Sequence, residues 1–211
     1  MKMFKIFFLF ALVSLAFYSE GLFAQKKIII LGDSLTEGYG VAQNAAFPAL
    51  LQNKILNDKL NWVLTSSGSS GSTSASGLER IKWIAKNKPD VVLLLLGSND
   101  GLRGLKTTET EKNLNATITW AKSEKIKIIL GQLYMPPNYG KKYTDDFAKV
   151  YSAVAKKNKV PLLGFLLEQI AGKPEFNLND GIHPNEKGHK IVADNMYKEL
   201  KPILLKIENE K

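Results

Sequence analysis

Apolar residues along the chain gather into short, nearly continuous runs at 26–31 (KKIIIL), 61–65 (NWVLT), 90–96 (DVVLLLL), 126–130 (IKIIL) and 160–163 (VPLL). Runs this short, rich in β-branched residues and free of polar alternation, predict strands covered on both faces. Between them apolar positions recur at helical spacing, over about 45–58, 73–87, 108–123, 143–158 and 185–206. Strand alternating with helix predicts an α/β fold, a parallel doubly wound sheet in three layers, with right-handed crossovers. In such a sheet the segments that follow the strands share one edge, where open α/β folds place their chemistry. Those segments are polar or glycine-rich: GDSLTEG (32–38), SSGSSGSTSASG (66–77), GSNDGLRG (97–104), GQLYMPPNYG (131–140) and GFLLEQIAGKPEFNLNDGIHP (164–184). The Ser-rich piece from Thr65 to Gly77 has the composition of a flexible linker, but it is too short and too central to divide two domains.

The N-terminus follows a different pattern. Lys2 and Lys5 precede an apolar run from Ile6 to Tyr18, and then comes SEGLFAQKK. The run is shorter than the ~20 residues of a membrane span and suits a secretory signal peptide. Residues 1–24 are therefore expected to be removed after Ala24, although Leu22 is bulkier than the position usually takes. That leaves one domain over 25–211 in a periplasmic or secreted protein. The absence of cysteine removes disulfides, thiolate metal sites and a lipid-modified Cys anchor.

Charge adds little to this picture. The 211 residues carry a formal +9, which becomes +8 without Lys2, Lys5 and Glu20. The lysines are scattered and the only arginines are Arg80 and Arg103, whereas readers of bases and phosphates favour arginine. The expectation is no nucleic-acid partner, at most peripheral contact with anionic membrane surfaces and a small-molecule substrate; the sequence does not give the oligomeric state, and a monomer is favoured.

The chemistry starts from two histidines. His189 falls in the last helical segment, where a solvent-facing position is expected. His183 lies in DGIHP, ahead of Pro184 and Asn185, a pair suited to opening a helix. Asp180, three residues earlier, is close enough to accept the Nδ1 proton across a turn, which would leave Nε2 free to take a proton from a hydroxyl. Alone, Asp-x-x-His is a weak motif. Ser34, at the end of the first strand, is a nucleophile only if a base lies within hydrogen-bond reach; otherwise it is a turn or cap residue. It does not stand in a G-x-S-x-G elbow, and GDSLTEG has neither the Lys of a phosphate-binding loop nor a dinucleotide fingerprint. Donors for an oxyanion are available from the Ser34 backbone, Gly71 and Asn99.

Together GDSL at 32–35, the glycine of SGSTSASGL at 70–78, GSNDGLRG at 97–104 and DGIHP at 180–184 resemble the GDSL, or SGNH, hydrolase family. The order and spacing of the blocks cover essentially the whole chain after residue 24. GLRG after the Asn, and PPNYGKKY at 136–143, are most similar to the bacterial multifunctional thioesterase, lysophospholipase and arylesterase branch. The resemblance implies a five-stranded parallel sheet of order 2-1-3-4-5, a flavodoxin-like three-layer fold, and a serine esterase with no metal or cofactor. It also implies Ser34 as nucleophile, His183 as base and Asp180 as its orienter, with an oxyanion hole from Ser34, Gly71 and Asn99. Block two departs from the branch, which usually has Gly-Asp-Thr where this chain has Gly71, Ser72 and Thr73, so Gly68 is a rival donor.

The expected activity is hydrolysis of carboxylic esters or thioesters through an acyl-serine intermediate. Leu102, Leu105, Tyr134, Met135, Pro136 and Pro137 are candidates for an apolar acyl groove, with loop packing as the alternative. A carbohydrate O-acetylesterase is the nearest competing expectation. A non-catalytic flavodoxin-like binding module is a more distant one.

Overall fold

The computed structural model describes residues 25–210; the expected leader, 1–24, lies outside them. Five strands form one sheet: β1 (Lys26–Gly32), β2 (Trp62–Ser67), β3 (Val91–Leu95), β4 (Lys127–Gln132) and β5 (Leu162–Phe165). Every pairing is parallel and the order is β2-β1-β3-β4-β5. Continuous apolar composition has the expected consequence: Ile28, Ile30, Val91, Val92, Leu93, Leu94 and Leu130 are fully buried, because helices cover both faces of the strands that carry them.

Helix α1 (Ser34–Glu37) is a single turn after β1, and α2 (Phe47–Asn57) returns the chain to β2. Helix α3 (Gly77–Ile84), extended by 3-10 turns at both ends, precedes β3. Helices α4 (Ser98–Leu102) and α5 (Thr107–Ser123) precede β4, and α6 (Lys141–Asn158) precedes β5. The chain closes with α7 (Glu186–Asn209). Helices α2 and α7 lie together on one face, while α3, α5 and α6 contact one another in series on the other. Helix α7 begins as its sequence predicts, with Asn185 as N-cap accepting the Gly188 N–H at 3.1 Å.

Helical spacing misses α1 and α4. Each is a turn of four or five residues, too short to display a period. They stand after β1 and β3, the two strands between which the chain switches direction across the sheet. The crevice at that switch point is where open α/β sheets bind ligands.

At the opposite edge, the four turns from helix to strand share one feature. Lys59, Lys88, Lys125 and Lys159 have φ of 55°, 52°, 62° and 52°, a left-handed conformation that usually falls to glycine at this position. Three of these turns are closed by amides of apolar residues that donate back into the helix: Leu60 to Ile55 O, Ile126 to Ala121 O and Val160 to Ala155 O, at 2.9–3.1 Å.

Candidate active site

Ser34 is the first residue of α1 and Asp33 is its N-cap, the Asp33 carboxylate accepting the Leu35 N–H at 3.2 Å. Asp33 is buried, and burial raises its pKa against the opposing bonds from the Leu35 N–H and the Ser98 hydroxyl. Its role is to start the turn that lifts Ser34 to the sheet edge.

His183 arrives from the other end of the chain. The segment before α7 is folded tightly: the Leu178 N–H donates to His183 O at 2.7 Å, and Asn177 forms an antiparallel bridge with Pro184. Asp180 Oδ1 accepts the N–H groups of both Ile182 and His183 at 3.0 Å, while Oδ2 lies 2.8 Å from His183 Nδ1. Burial tends to raise the Asp180 pKa, but the two amides and the imidazole outweigh it and hold the carboxyl below its ordinary value. On the other side of the ring, His183 Nε2 stands 2.9 Å from Ser34 Oγ. An Asp180 carboxylate accepting from Nδ1 assigns the tautomer in which Nε2 accepts from the serine hydroxyl. Asp180, His183 and Ser34 therefore form one hydrogen-bonded chain across 149 residues of sequence.

Asn99 lies in α4, where its Nδ2 donates to Ser72 O at 3.0 Å and approaches Asp33 Oδ2 at 3.4 Å. These two contacts anchor the Asn99 side chain between the segments that carry Ser34 and Gly71. The Ser-rich segment, linker-like in composition, is tied down residue by residue. Ser69 N–H donates to Gly32 O, and Ser70 N–H and Oγ–H both donate to Glu37 Oε2. Arg103 Nη2 donates to Gly71 O at 2.9 Å. Ser74 N–H and Oγ–H both donate to the buried Asp100 carboxylate.

The two glycines of this segment differ. A Cβ on Gly68 would stand 2.2 Å from Glu37 N, so Gly68 is a close approach of backbone to α1. Gly71 has φ +76°, and its N–H meets no acceptor among the described residues.

Several contributors were given no role by the sequence. Both arginines serve this edge, Arg103 as above and Arg80 by donating to Gly32 O at 2.8 Å and to Ser67 O, which joins the ends of β1 and β2. Burial lowers the Arg80 pKa while the charge of Asp33 raises it. Glu37 and Tyr39 are likewise silent in the motif. Side-chain bonds to backbone carbonyls have no fixed spacing; the one available hint was the use of only two arginines among 29 basic residues.

Among the groove candidates, Leu105 and Tyr134 are exposed, the Tyr134 ring meets Phe165 edge-on at 4.9 Å, and Met135 lies against Gly101. Leu102 is held through its carbonyl by the Tyr139 hydroxyl, and Pro136 and Pro137 are exposed.

The expectation for His189 is overturned. It is 1% exposed, on the inner face of α7 with Val192, Ala193 and Met196. Its Nδ1 accepts the Phe47 N–H at 3.2 Å and its ring stacks on Phe47. That amide, in the first turn of α2, has no partner within its own helix, and a neutral imidazole supplies one.

The chain is similar to known proteins over most of its length. Residues 30–191 match the model of the GDSL-like lipase/acylhydrolase family. The chain is 40% identical over 182 residues to thioesterase 1/protease 1/lysophospholipase L1 of Escherichia coli, covering 86% of each. It is 35% identical over 178 residues to an arylesterase of Vibrio mimicus, covering 84% of this chain and 89% of that one. Its fold matches the psychrotrophic esterase EstA of Pseudoalteromonas sp., solved with monoethylphosphonate as inhibitor, with a TM-score of 0.82 at 34% identity over 85% of this chain and 99% of that one. With its sheet order, its strand-end serine and relatives of esterase and thioesterase name, the chain belongs to the GDSL-like lipase/acylhydrolase family.

Proposed function

We propose that this esterase works through an acyl-serine intermediate formed on Ser34 and acts outside the cytosol. The observation that carries the reading is the hydrogen-bonded chain from Asp180 through His183 to Ser34 Oγ. Ser34 Oγ attacks the acyl carbonyl while His183 Nε2 takes its proton. The tetrahedral intermediate collapses as His183 returns that proton to the departing alcohol or thiol, and water, deprotonated by the same nitrogen, releases the acid. Asp180 holds the tautomer and stabilises the imidazolium formed at each step.

The developing oxyanion is received by the N–H groups of Ser34 and Gly71 and by the Asn99 amide. Gly71 is favoured over Gly68 because the Gly68 backbone is pressed on α1, whereas Gly71 stands clear of it. Leu102, Leu105, Tyr134 and Met135 lie in the segments that follow β3 and β4, at the sheet edge that carries Ser34, and are suited to an acyl chain. Export rests on the character of residues 1–24. Among the described residues no helix is long and apolar enough to cross a membrane. Away from acyl-CoA pools, lysophospholipids or short acyl esters are the favoured substrates.

The test is hydrolysis of p-nitrophenyl acetate, butyrate, octanoate and palmitate by the wild type and by Ser34→Ala. The reading expects turnover by the wild type and loss of nearly all of it in the variant. Equal rates in the two would remove Ser34 as nucleophile, and activity confined to acetyl esters would favour a carbohydrate O-acetylesterase.

A further inference from the structure

A backbone N–H is an effective oxyanion donor only if the loop that carries it is held in place. The segment 68–74 is built from Gly, Ser and Thr, so it has no large apolar side chain to bury and packing cannot fix it. Polar tethers must do so, and their placement around Gly71 is specific. The peptide before the Gly71 N–H is anchored through Ser70, whose N–H and Oγ–H reach Glu37 Oε2 at 2.7 and 2.5 Å. The peptide after it is anchored through Gly71 O, which accepts from Arg103 Nη2 at 2.9 Å. Between these two anchored peptides the Gly71 N–H itself meets no acceptor among the described residues.

The anchors come from the two elements that carry the other donors. Glu37 is the last residue of α1, which Ser34 opens, and Arg103 caps the C-terminus of α4, which carries Asn99. The bonds from Ser70 hold the Glu37 carboxyl below its ordinary pKa, so it is an anionic acceptor at neutral pH.

We propose that Glu37 is a positioning residue for the oxyanion hole: by clamping Ser70 to the nucleophile's helix, with Arg103 as the opposing clamp, it aims the Gly71 N–H at the reacting carbonyl oxygen. The proposal rests on the acyl-serine reading, and the test separates the two. Rates of p-nitrophenyl butyrate hydrolysis are measured for wild type, Ser34→Ala, Glu37→Ala, Glu37→Gln and Ser70→Ala, with melting temperatures and rates of inactivation by a p-nitrophenyl phosphonate.

Glu37→Ala should lower kcat and the phosphonylation rate about 10- to 100-fold, the range for a displaced donor, with KM within about twofold. Glu37→Gln keeps an oxygen able to accept both Ser70 bonds and should recover most of the rate. Ser70→Ala, which keeps the N–H, should fall between. The clamp is overturned if Glu37→Ala matches the wild type in kcat, if its loss follows a collapse in melting temperature that Ser70→Ala shares, or if Gln fails to rescue. Undiminished activity of Ser34→Ala would instead overturn the acyl-serine reading on which the clamp depends.

Discussion

The ring of Tyr39 lies against the imidazole of His183, with centroids 4.6 Å apart and planes inclined at 40°. Tyr39 is half exposed and has no role in the motif blocks, yet it covers one face of the proposed general base. In the acyl-transfer cycle that base becomes a cation each time it takes a proton, and an aromatic face beside a cation at an exposed site contributes about 0.5–1 kcal/mol. Tyr39→Leu should therefore lower kcat about two- to fivefold, while Tyr39→Phe, which keeps the ring, should stay near wild type. Indistinguishable kcat values for Leu and Phe variants would show that the ring is only a cover.

Asp180 has two separable duties. Its Oδ1 closes the turn by accepting two amides, and its Oδ2 faces His183 Nδ1. Asp180→Asn can keep the first duty through its carbonyl oxygen, but its NH2 group would face Nδ1 and favour the wrong tautomer. The expected result is a loss in kcat of about 10³- to 10⁴-fold with a nearly unchanged melting temperature. A variant within tenfold of wild type would show that the carboxylate is not needed to orient the ring.

His189 makes stability depend on pH. Burial first, and the neighbouring His183 charge second, lower its pKa from 6.5 to about 4. The folded state thus binds this proton less readily than the unfolded chain. Its contribution is fully present above pH 6.5 and is lost as pH falls from 6.5 towards 4, by up to about 3 kcal/mol. His189→Gln retains an acceptor for the Phe47 N–H without the ionisation. Melting curves between pH 7 and 4.5 should fall less steeply for the variant than for wild type, and parallel slopes would refute the assignment.

The five strands were readable because burial on both faces leaves a run without polar interruption, as in Val91–Leu95. Ser34, Asp180, His183 and Asn99 were readable as motif members, and the structure brings them to one edge. Gly71 was named with Gly68 as its rival, and what the sequence could not show is that the Gly68 backbone is pressed against α1. His189 was misread because one polar residue on an amphipathic helix is assigned outward by default. What reversed that expectation was the uncapped Phe47 amide across the interface, 142 residues away and invisible to any local pattern. Glu37, Arg80 and Arg103 received no role from the sequence for a related reason, as their partners are groups of the strand ends and the Ser-rich loop whose relative positions exist only after folding.

The left-handed lysines at the helix ends give the two edges of the sheet different futures under mutation. A side chain in that conformation costs about 1–2 kcal/mol relative to a relaxed backbone, and a cation at a helix C-terminus returns about 0.3–1 kcal/mol. Exchanging Lys for Gly at positions 59, 88, 125 or 159 trades one small effect against another, so these turns are close to neutral ground. Strands of four to seven residues hold them roughly 13–23 Å from the Ser34 edge. New loops, tags or inserted domains can accumulate there, where they leave the geometry around Ser34 undisturbed.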